Sequence, residues 1–408
     1  MKNRFDSQRN PSGGICGAKN FPGAFDRIYE DNGVLIMTET ATLTWFSGNY
    51  GSTMQAFALQ KTVMELGYGN RIINYVPNKR EKLAFFCKSS ARFVTLKAKI
   101  ENKKIESKFL NRDEIDLKNR KFEEFYENSF FLTEMIPVQN QMKSLNNKYR
   151  IFLCGSDQIW NPNYFKKCNF LDFVSESNKK IAYAPSIGTT QLTENEKRKM
   201  KSYLDRFDKI SVREESSKRL IESVVDKPVQ VVCDPVFLLS REKWIEKMQL
   251  KEPEEKYILC YFLGDNPEYQ KMTEKLQESL KIKVKIIPTN TFGYALGFET
   301  QKTVGPKDWL SLLYGAEFVL TDSFHATAFS IIFNKSFYVL KRFSDTSPKS
   351  QNSRIYYLLN MTGLEDRIWQ NTTNVSYIEN DIWKTVDEKM KTERETSTLW
   401  LKNALEDK

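Results

Sequence analysis

Apolar and polar positions alternate along most of the chain in a way that predicts an α/β protein. A strand pattern occurs in ETATLTWF, two glycines interrupt it in SGNYGS, and apolar residues at helical spacing follow in TMQAFALQKTVMELGYG. The next strand pattern is NRIINYV. Strand, glycine-containing loop, helix and strand form a βαβ unit, which in an open sheet is almost always parallel and right-handed.

The same alternation resumes near residue 149 and begins again after a polar, proline-containing connector near residue 250. Further strands of the first series are predicted in YRIFLC, KKIAYA, DKISV and PVQVVC, and strands of the second in KYILCYF, VKIIPT, EFVLT and SFYVL. We therefore predict two Rossmann-like parallel-sheet domains, 37–250 and 251–390, followed by a C-terminal helix and charged tail over 391–408. Two such domains imply a cleft with ligands at the carboxyl ends of the strands.

Two stretches differ from this alternation. Residues 1–36 contain turn-forming pairs and little periodicity, so we expect a disordered or non-essential tail. Residues 78–147 are rich in Lys, Arg, Glu and Phe, which predicts amphipathic helices inserted into the N-terminal domain. This insertion is either a solvated excursion at the edge of the domain or a basic face for a membrane surface or a partner.

The composition narrows the class of protein. A formal net charge of +10 favours anionic partners, and no recognised nucleic-acid-binding motif accompanies it. Six cysteines form no CxxC pair and there is one histidine, so we expect no metal, no cofactor and no disulfides. Since no apolar run approaches the roughly 18–20 residues that span a bilayer, we expect a cytoplasmic protein, either free or peripheral at the inner membrane face.

Polar stretches after the predicted strands are the candidate ligand-binding segments. SGNYGS opens a helix, and its backbone N–H groups could cradle an anion, with Asn49, Tyr50 and Gly51 as candidate binding residues. The alternative is a tight βα turn without a ligand. SVREE ends a strand on Arg213, whose planar fork suits a carboxylate or a phosphate. The alternative for Arg213 is an ion pair with a neighbouring glutamate.

A third candidate segment is GSDQIWNP, which follows the strand in YRIFLC. It places Ser156, Asp157, Gln158 and Trp160 together. A tryptophan beside amide and carboxylate groups offers a sugar an apolar face for stacking and hydrogen bonds at the edge of the ring. The alternative is that Asp157 caps a helix.

The fourth segment, VLTDSFHATAFS, contains His325, the only histidine of the chain. Asp322 or Ser323 can cap the helix that begins near Phe324, which places His325 in the first helical turn. The helix dipole disfavours the protonated imidazole there, so we expect a neutral ring that is ready to exchange a proton. Its position at a strand end favours a functional role over a buried structural one.

In order and spacing, these blocks resemble the polysaccharide pyruvyl transferase family. The resemblance covers about residues 38–365 and rests on SGNYGSTMQAFALQ, GSDQIWNP, IAYAPSIG, SVREESS, VCDPVFLL and TDSFHATAFSIIFNKSF. It implies a fold similar to that of two-domain GT-B glycosyltransferases. It also implies transfer of a pyruvyl group from phosphoenolpyruvate to two hydroxyls of a sugar in a cell-surface polysaccharide precursor, without a metal. His325 would be the acid, and Arg213 would hold the donor's carboxylate or phosphate.

The sequence departs from the family where an arginine often stands two residues before the histidine, because that position is Ser323 here. A serine cannot replace a bidentate guanidinium. Either another cation substitutes, with Arg354, Lys341 and Arg342 as candidates, or the donor is different. Two other functions therefore stay open: a GT-B glycosyltransferase that uses a nucleotide sugar, and a glycan- or anion-binding protein without turnover. The expected partner is a sugar acceptor, and the sequence leaves open whether it is lipid-linked.

Overall fold

The computed structural model describes residues 39–86, 104, 107–189, 191–345, 351–370 and 372–407. The predicted tail 1–36 lies outside the described residues, as does part of the predicted insertion 78–147.

The first half of the described chain is built on a six-stranded parallel sheet in the order β2–β1–β3–β4–β5–β6. Its inner strands are almost wholly buried, as expected for a parallel sheet that is covered on both faces. The strands are β1 (Glu39–Leu43), β2 (Gly69–Ile72), β3 (Ile151–Cys154), β4 (Lys179–Ala182), β5 (Lys209–Val212) and β6 (Val229–Val231).

Helices connect these strands, and polar side chains cap several of their N-termini, as at Asn49, Asn111 and Thr193. The helices are α1 (Tyr50–Glu65), α2 (Lys79–Phe86), α3 (Arg112–Ser129), α4 (Glu194–Leu204), α5 (Glu215–Glu222) and α6 (Arg241–Met248). Short 3₁₀ helices lie at Gln139–Asn147, Pro162–Tyr164, Lys167–Phe170 and Pro235–Leu238.

The second half is built on a five-stranded parallel sheet in the order β11–β10–β7–β8–β9. Its strands are β7 (Tyr257–Tyr261), β8 (Lys283–Ile287), β9 (Glu299–Thr300), β10 (Phe318–Thr321) and β11 (Ser336–Val339). Its helices are α7 (Glu268–Leu280), α8 (Thr291–Ala295), α9 (Pro306–Gly315), α10 (Phe324–Ile332), α11 (Ser353–Thr362) and α12 (Asn380–Glu406), with a 3₁₀ helix at Glu365–Arg367. The prediction of two Rossmann-like parallel-sheet domains, the arrangement of the GT-B kind, is confirmed.

The C-terminal helix α12 leaves the second domain and packs on the first. The Ser397 hydroxyl accepts a hydrogen bond of 2.9 Å from the Cys233 amide, and Arg394 Nε donates one of 2.8 Å to the Phe237 carbonyl. The helix is continuous through residue 390, where the sequence analysis divides the second domain from the C-terminal tail. This single helix therefore ties the end of the chain to the N-terminal domain.

Helix α3 is the largest described part of the insertion, and it lies between the two domains. Phe125 and Tyr126 are buried, and the Tyr126 ring contacts Phe46 edge to face at 5.7 Å. On the other side, Lys121 Nζ donates to Asp308 Oδ2 of the second domain over 2.7 Å. This helix is thus part of the interdomain packing, and the two alternatives for the insertion as a whole stay predictions. No helix in the described ranges has the length and hydropathy needed to cross a membrane.

Candidate active site

His325 lies where the carboxyl ends of the two sheets meet. It occupies the second position of α10, directly after β10, and Ser323 caps this helix by accepting the Ala326 amide at 3.4 Å. The imidazole reaches the first domain, where its Nε2 lies 3.7 Å from Oδ2 of Asp234, just after β6. The lone histidine therefore belongs to one domain by sequence and contacts the other through its side chain.

Gly51 makes room for this ring. A Cβ added at Gly51 would lie 2.2 Å from His325 Nδ1 and 2.4 Å from Cγ, far inside van der Waals contact. Gly51 stands in the first turn of α1, which Asn49 caps by accepting the Ser52 amide at 3.2 Å. The N-terminal turns of α1 and α10 thus abut, and only a glycine fits between them.

Arg213 and Asp234 form a buried ion pair beside the imidazole. Arg213 is 3% exposed, and its Nη1 donates to the Asp234 oxygen that faces His325, over 2.7 Å. Its Nε donates to Glu214 Oε2 over 3.4 Å. Burial alone would raise the pKa of Asp234, but the neighbouring His325 and Arg213 outweigh burial and hold the pKa well below its usual value. Asp234 is therefore a carboxylate that faces the guanidinium of Arg213 and the imidazole of His325 at once.

Asp157 extends this charged cluster toward α1. Its Oδ2 accepts a hydrogen bond of 2.6 Å from the Ser52 hydroxyl, and its Oδ1 lies 4.0 Å from Arg213 Nη1. Burial would raise the pKa of Asp157, but the charges of His325 and Arg213 and the bond from Ser52 lower it on balance. Of the side chains predicted from GSDQIWNP, Asp157 is the one that joins the histidine and the arginine.

Arg354 enters the same region from α11 of the second domain. Its Nη2 donates to Gln351 Oε1 over 2.7 Å, and the amide end of Gln158 lies 3.1 and 3.2 Å from its two terminal nitrogens. The same end of the Gln158 amide lies 2.8 Å from the Gln351 side-chain amide across the domain interface. The Phe324 ring lies beside both guanidiniums, 4.4 Å from the Arg213 Cζ and 5.7 Å from the Arg354 Cζ.

The three cations proposed to replace the missing arginine differ in their surroundings. Arg342 is held by Asp322, through Nε to Oδ2 at 3.1 Å and Nη2 to the carbonyl at 3.0 Å. Lys341 is paired with Asp345 at 2.7 Å on the outer surface. Arg354 alone of the three contacts Phe324 and lies near Arg213.

A small cavity, about 20 Å³ in volume, opens beside this cluster and has room for a water-sized group. It is much smaller than the interdomain cleft that the sequence predicts. No group of three His, Cys, Asp or Glu side chains suited to a metal occurs in the part of the chain that the structure describes. The cavity is lined by Arg213, Glu214, Val232, Cys233, Asp234, Phe237, Phe324, Arg354, Tyr357, Leu358, Met361 and Glu393.

The prediction that Trp160 stacks on a sugar is wrong. Its side chain is fully buried, its Nε1 donates to the Asn169 carbonyl over 3.0 Å, and its ring is stacked on Phe170 at 5.3 Å. Ser156 in the same segment is also buried, with its hydroxyl bonded to the Ala184 carbonyl at 2.6 Å. Both side chains support the loop that presents Asp157.

Tyr50 and Asp322, two other candidate binding residues, are also committed to the fold. The Tyr50 hydroxyl donates to the Val304 carbonyl at 3.0 Å, and its ring is stacked on Trp309. The Asp322 carboxylate accepts hydrogen bonds of 2.7 and 2.8 Å from the amides of Leu263 and Gly264, besides its contact with Arg342. Asn49 and Ser323 serve as the caps of α1 and α10. These four therefore position the site and leave little capacity for a ligand.

Sequence reasoning did not identify Asp234 and Glu393 as members of the site, whereas the pair of Arg213 with Glu214 is the alternative that it gave for Arg213. Asp234 follows a predicted strand in VVCDP, so its place at a strand end was a usable signal. Glu393 gave no comparable signal, because it lies on the remote C-terminal helix and reaches the cavity only through the packing of α12.

A sequence model of the family described as "Polysaccharide pyruvyl transferase" matches residues 49–342, which is more than half of the 408 residues. The chain belongs to the polysaccharide pyruvyl transferase family. As a member of that family it is a transferase, and the resemblance seen in the sequence is confirmed. No curated protein sequence matches this family member significantly.

Solved structures that resemble this pyruvyl transferase family member share little sequence with it. A putative UDP-N-acetylglucosamine 2-epimerase from Listeria monocytogenes has a TM-score of 0.47 at 10% identity, covering 86% of this chain and 90% of the epimerase. The wall teichoic acid polymerase TagF has a TM-score of 0.45 at 11% identity, covering 94% and 92%. The E. coli heptosyltransferase WaaC has a TM-score of 0.37 at 11% identity, covering 76% and 89%.

Proposed function

We propose that this protein transfers the pyruvyl group of phosphoenolpyruvate to two hydroxyls of a sugar in a polysaccharide precursor, which forms a cyclic ketal. Membership of the pyruvyl transferase family supports a transferase that modifies polysaccharides. The observation that carries the specific reaction is the meeting of His325, Asp234 and Arg213 between the domains. A proton donor beside a guanidinium is what an anionic enol phosphate requires. A lipid-linked acceptor and a membrane contact through 78–147 remain predictions.

In the first step, His325 gives its proton to the methylene carbon of phosphoenolpyruvate, and the electron pair of the C=C bond forms the new C–H bond. A sugar hydroxyl attacks the adjacent carbon and releases its proton. The product is a tetrahedral carbon that carries methyl, carboxylate, phosphate and the sugar oxygen. A positioned general acid contributes roughly 10²–10⁴ in rate. Asp234 orients the imidazole and balances the charge of a proton carried on it.

In the second step, the other sugar hydroxyl displaces phosphate from the same carbon. One C–O bond to the sugar forms, the C–O bond to phosphate breaks, and the proton of this hydroxyl leaves with the phosphate. The two sugar hydroxyls thus lose two protons in all. One makes up for the proton that His325 gave to the methyl group, and the other leaves with the phosphate. Arg213, buried beside His325, would bind the donor's carboxylate or phosphate throughout.

The test incubates the purified protein with phosphoenolpyruvate and a panel of p-nitrophenyl hexopyranosides, and it measures inorganic phosphate and product mass. We expect phosphate release that depends on the glycoside, together with a glycoside that carries one pyruvyl ketal. A parallel series replaces phosphoenolpyruvate with nucleotide sugars. Release of nucleoside diphosphate in that series, with phosphoenolpyruvate left intact in the first, would identify a glycosyltransferase and contradict the proposal.

A further inference from the structure

Arg354 is a buried cation that makes no direct ion pair among the described residues, and the carboxylates of Asp157 and Glu214 act on it only at longer range. It is 8% exposed, and its contacts there are the neutral amides of Gln351 and Gln158. Burial, followed by repulsion from Arg213, lowers the pKa of Arg354 to about 10. A buried charge without a direct partner is only partly compensated, and a bound anion would stabilise it.

Arg213 and Arg354 each keep one buried N–H without an acceptor. Arg213 donates hydrogen bonds through Nη1 to Asp234 and through Nε to Glu214. The Nη2 of Arg213 has no hydrogen-bond partner among the described residues. Arg354 is bound at its terminal nitrogens, and its Nε has none. Buried donors are almost always satisfied in folded proteins, so two unsatisfied donors on neighbouring guanidiniums indicate a place for an acceptor that is not part of the chain.

The two guanidiniums share one wall and one cavity. Both lie beside the Phe324 ring, at 4.4 and 5.7 Å from its centre, and both line the small cavity next to Asp234. The charge of Arg213 is already balanced by Asp234 and Glu214. An anion bound here would therefore draw on the charge of Arg354, which Asp157 and Glu214 offset only at longer range.

We infer that Arg213 and Arg354 form a clamp for one oxyanion group, a carboxylate or a phosphate, that is held between the two domains. Guanidinium forks match the spacing of oxygens in both groups. The inference rests on the proposed function for the identity of the ligand, phosphoenolpyruvate, which carries one group of each kind. It assigns to Arg354, from α11, the cationic role that the serine at position 323 cannot fill.

The clamp also brings together residues of both domains. Arg213 follows β5 of the first domain, whereas Arg354 belongs to the second. One anion bound to both arginines joins the domains. A ligand larger than a water-sized group requires the walls of this cavity to move.

The experiment measures binding of phosphoenolpyruvate, inorganic phosphate and pyruvate by calorimetry and thermal shift, without an acceptor. We expect Arg354→Gln to weaken phosphoenolpyruvate binding about 10- to 100-fold, the range for a lost charge-assisted hydrogen bond. Arg354→Lys keeps the charge but not the fork, so it recovers part of the affinity. Lys341→Gln, which removes a surface cation of the same domain, binds phosphoenolpyruvate as the unmodified protein does.

The separate ligands identify which group the clamp holds. If the Arg354 variants lose affinity for inorganic phosphate alone, the clamp holds the phosphate group of the donor. If they lose affinity for pyruvate alone, it holds the carboxylate. Circular dichroism checks that each Arg354 variant is folded. If Arg354→Gln does not fold, the affinities of Arg354→Lys are used in its place. Unchanged affinity of a folded Arg354 variant for all three anions would overturn the clamp, as would failure of the unmodified protein to bind any of them.

The clamp and the proposed function can fail separately. Arg354-dependent binding of phosphate by a protein that never consumes phosphoenolpyruvate would refute pyruvyl transfer and leave the clamp standing. Formation of the pyruvyl ketal by a protein whose Arg354→Gln variant binds phosphoenolpyruvate normally would refute the clamp and leave pyruvyl transfer standing.

Discussion

At the scale of single residues, the contact between Gly51 and His325 determines where the imidazole lies. The backbone of α1 takes the space that a side chain would occupy, so the ring is held against it and toward Asp234. That SGNYGS acts through its backbone on an anion stays a prediction. Its glycine also gives the catalytic candidate room, which no single-sequence pattern could reveal because the contact joins residues 274 positions apart.

Gly51→Ala tests this contact. The added methyl group would overlap the imidazole, so the ring must move and the distance to Asp234 must change. We expect turnover to fall at least about tenfold, with a loss of unfolding free energy of about 1–3 kcal/mol from overpacking. Steady-state kinetics and thermal unfolding measure the two effects.

The matched control is Gly297→Ala. An added Cβ meets nothing there, although φ is +77°, so the substitution strains the backbone far from the histidine. It should lower stability and leave turnover intact. Equal turnover in both variants would mean that Gly51 does not position the ring.

Trp160 shows the limit of prediction for single residues. An indole beside amides and a carboxylate suits a sugar site and a buried loop equally well in sequence. Only the packing of Phe170 against its face distinguishes the two. Arg213 and His325 were predictable, because Arg213 directly follows a strand that the apolar pattern defines and His325 lies in the first turn of the helix after another such strand.

At the scale of elements, the order of strands and helices followed from the alternation of apolar and polar positions. The placement of α3 and α12 did not. Their periodicity shows that each has a buried face, but it does not show which domain covers that face.

Helix α3 provides a test of the insertion's structural role. Phe125→Ala removes a buried ring from the contact between α3 and the first domain, so we expect a loss of about 3–5 kcal/mol of unfolding free energy. Leu117→Ala, on the exposed side of the same helix, should change stability by less than about 0.5 kcal/mol. Denaturant unfolding of both variants measures the difference. Similar small effects would support a solvated insertion.

Helix α12 carries a charged residue on its packed face. Val386, Met390, Ser397 and Leu401 are buried, and Glu393 lies among them beside the cavity. Burial raises the pKa of Glu393, so the folded protein favours its protonated form. The carboxylate therefore destabilises the fold as the pH rises from about 4, the ordinary value for glutamate, through the raised pKa.

Glu393→Gln should accordingly stabilise the protein at neutral pH. The gain is no more than about 1 kcal/mol, because the group is half-buried and solvent screens it. It should vanish below about pH 4, where both states carry the proton. Thermal unfolding across pH measures this, with Glu395→Gln on the exposed face as the control. A gain that persists unchanged at low pH would show that the charge is not its cause.

At the scale of the whole molecule, the site is assembled from two domains. His325 and Arg354 come from the second, whereas Gly51, Asp157, Arg213 and Asp234 come from the first. The sequence predicted two parallel sheets whose carboxyl ends face each other, and that much sufficed to bring the histidine and Arg213 together. It could not predict how tightly the domains close, since closure depends on interdomain contacts such as Gln158 with Gln351.

The most direct test of pyruvyl transfer through His325 is the reaction in D₂O, with the product glycoside analysed by proton NMR. The account predicts a pyruvyl methyl group with one deuterium, because the added proton comes from an imidazole that exchanges with solvent. It also predicts that His325→Gln forms product at least about 100-fold more slowly. A methyl group without deuterium, or a His325→Gln variant with full rate, would contradict it.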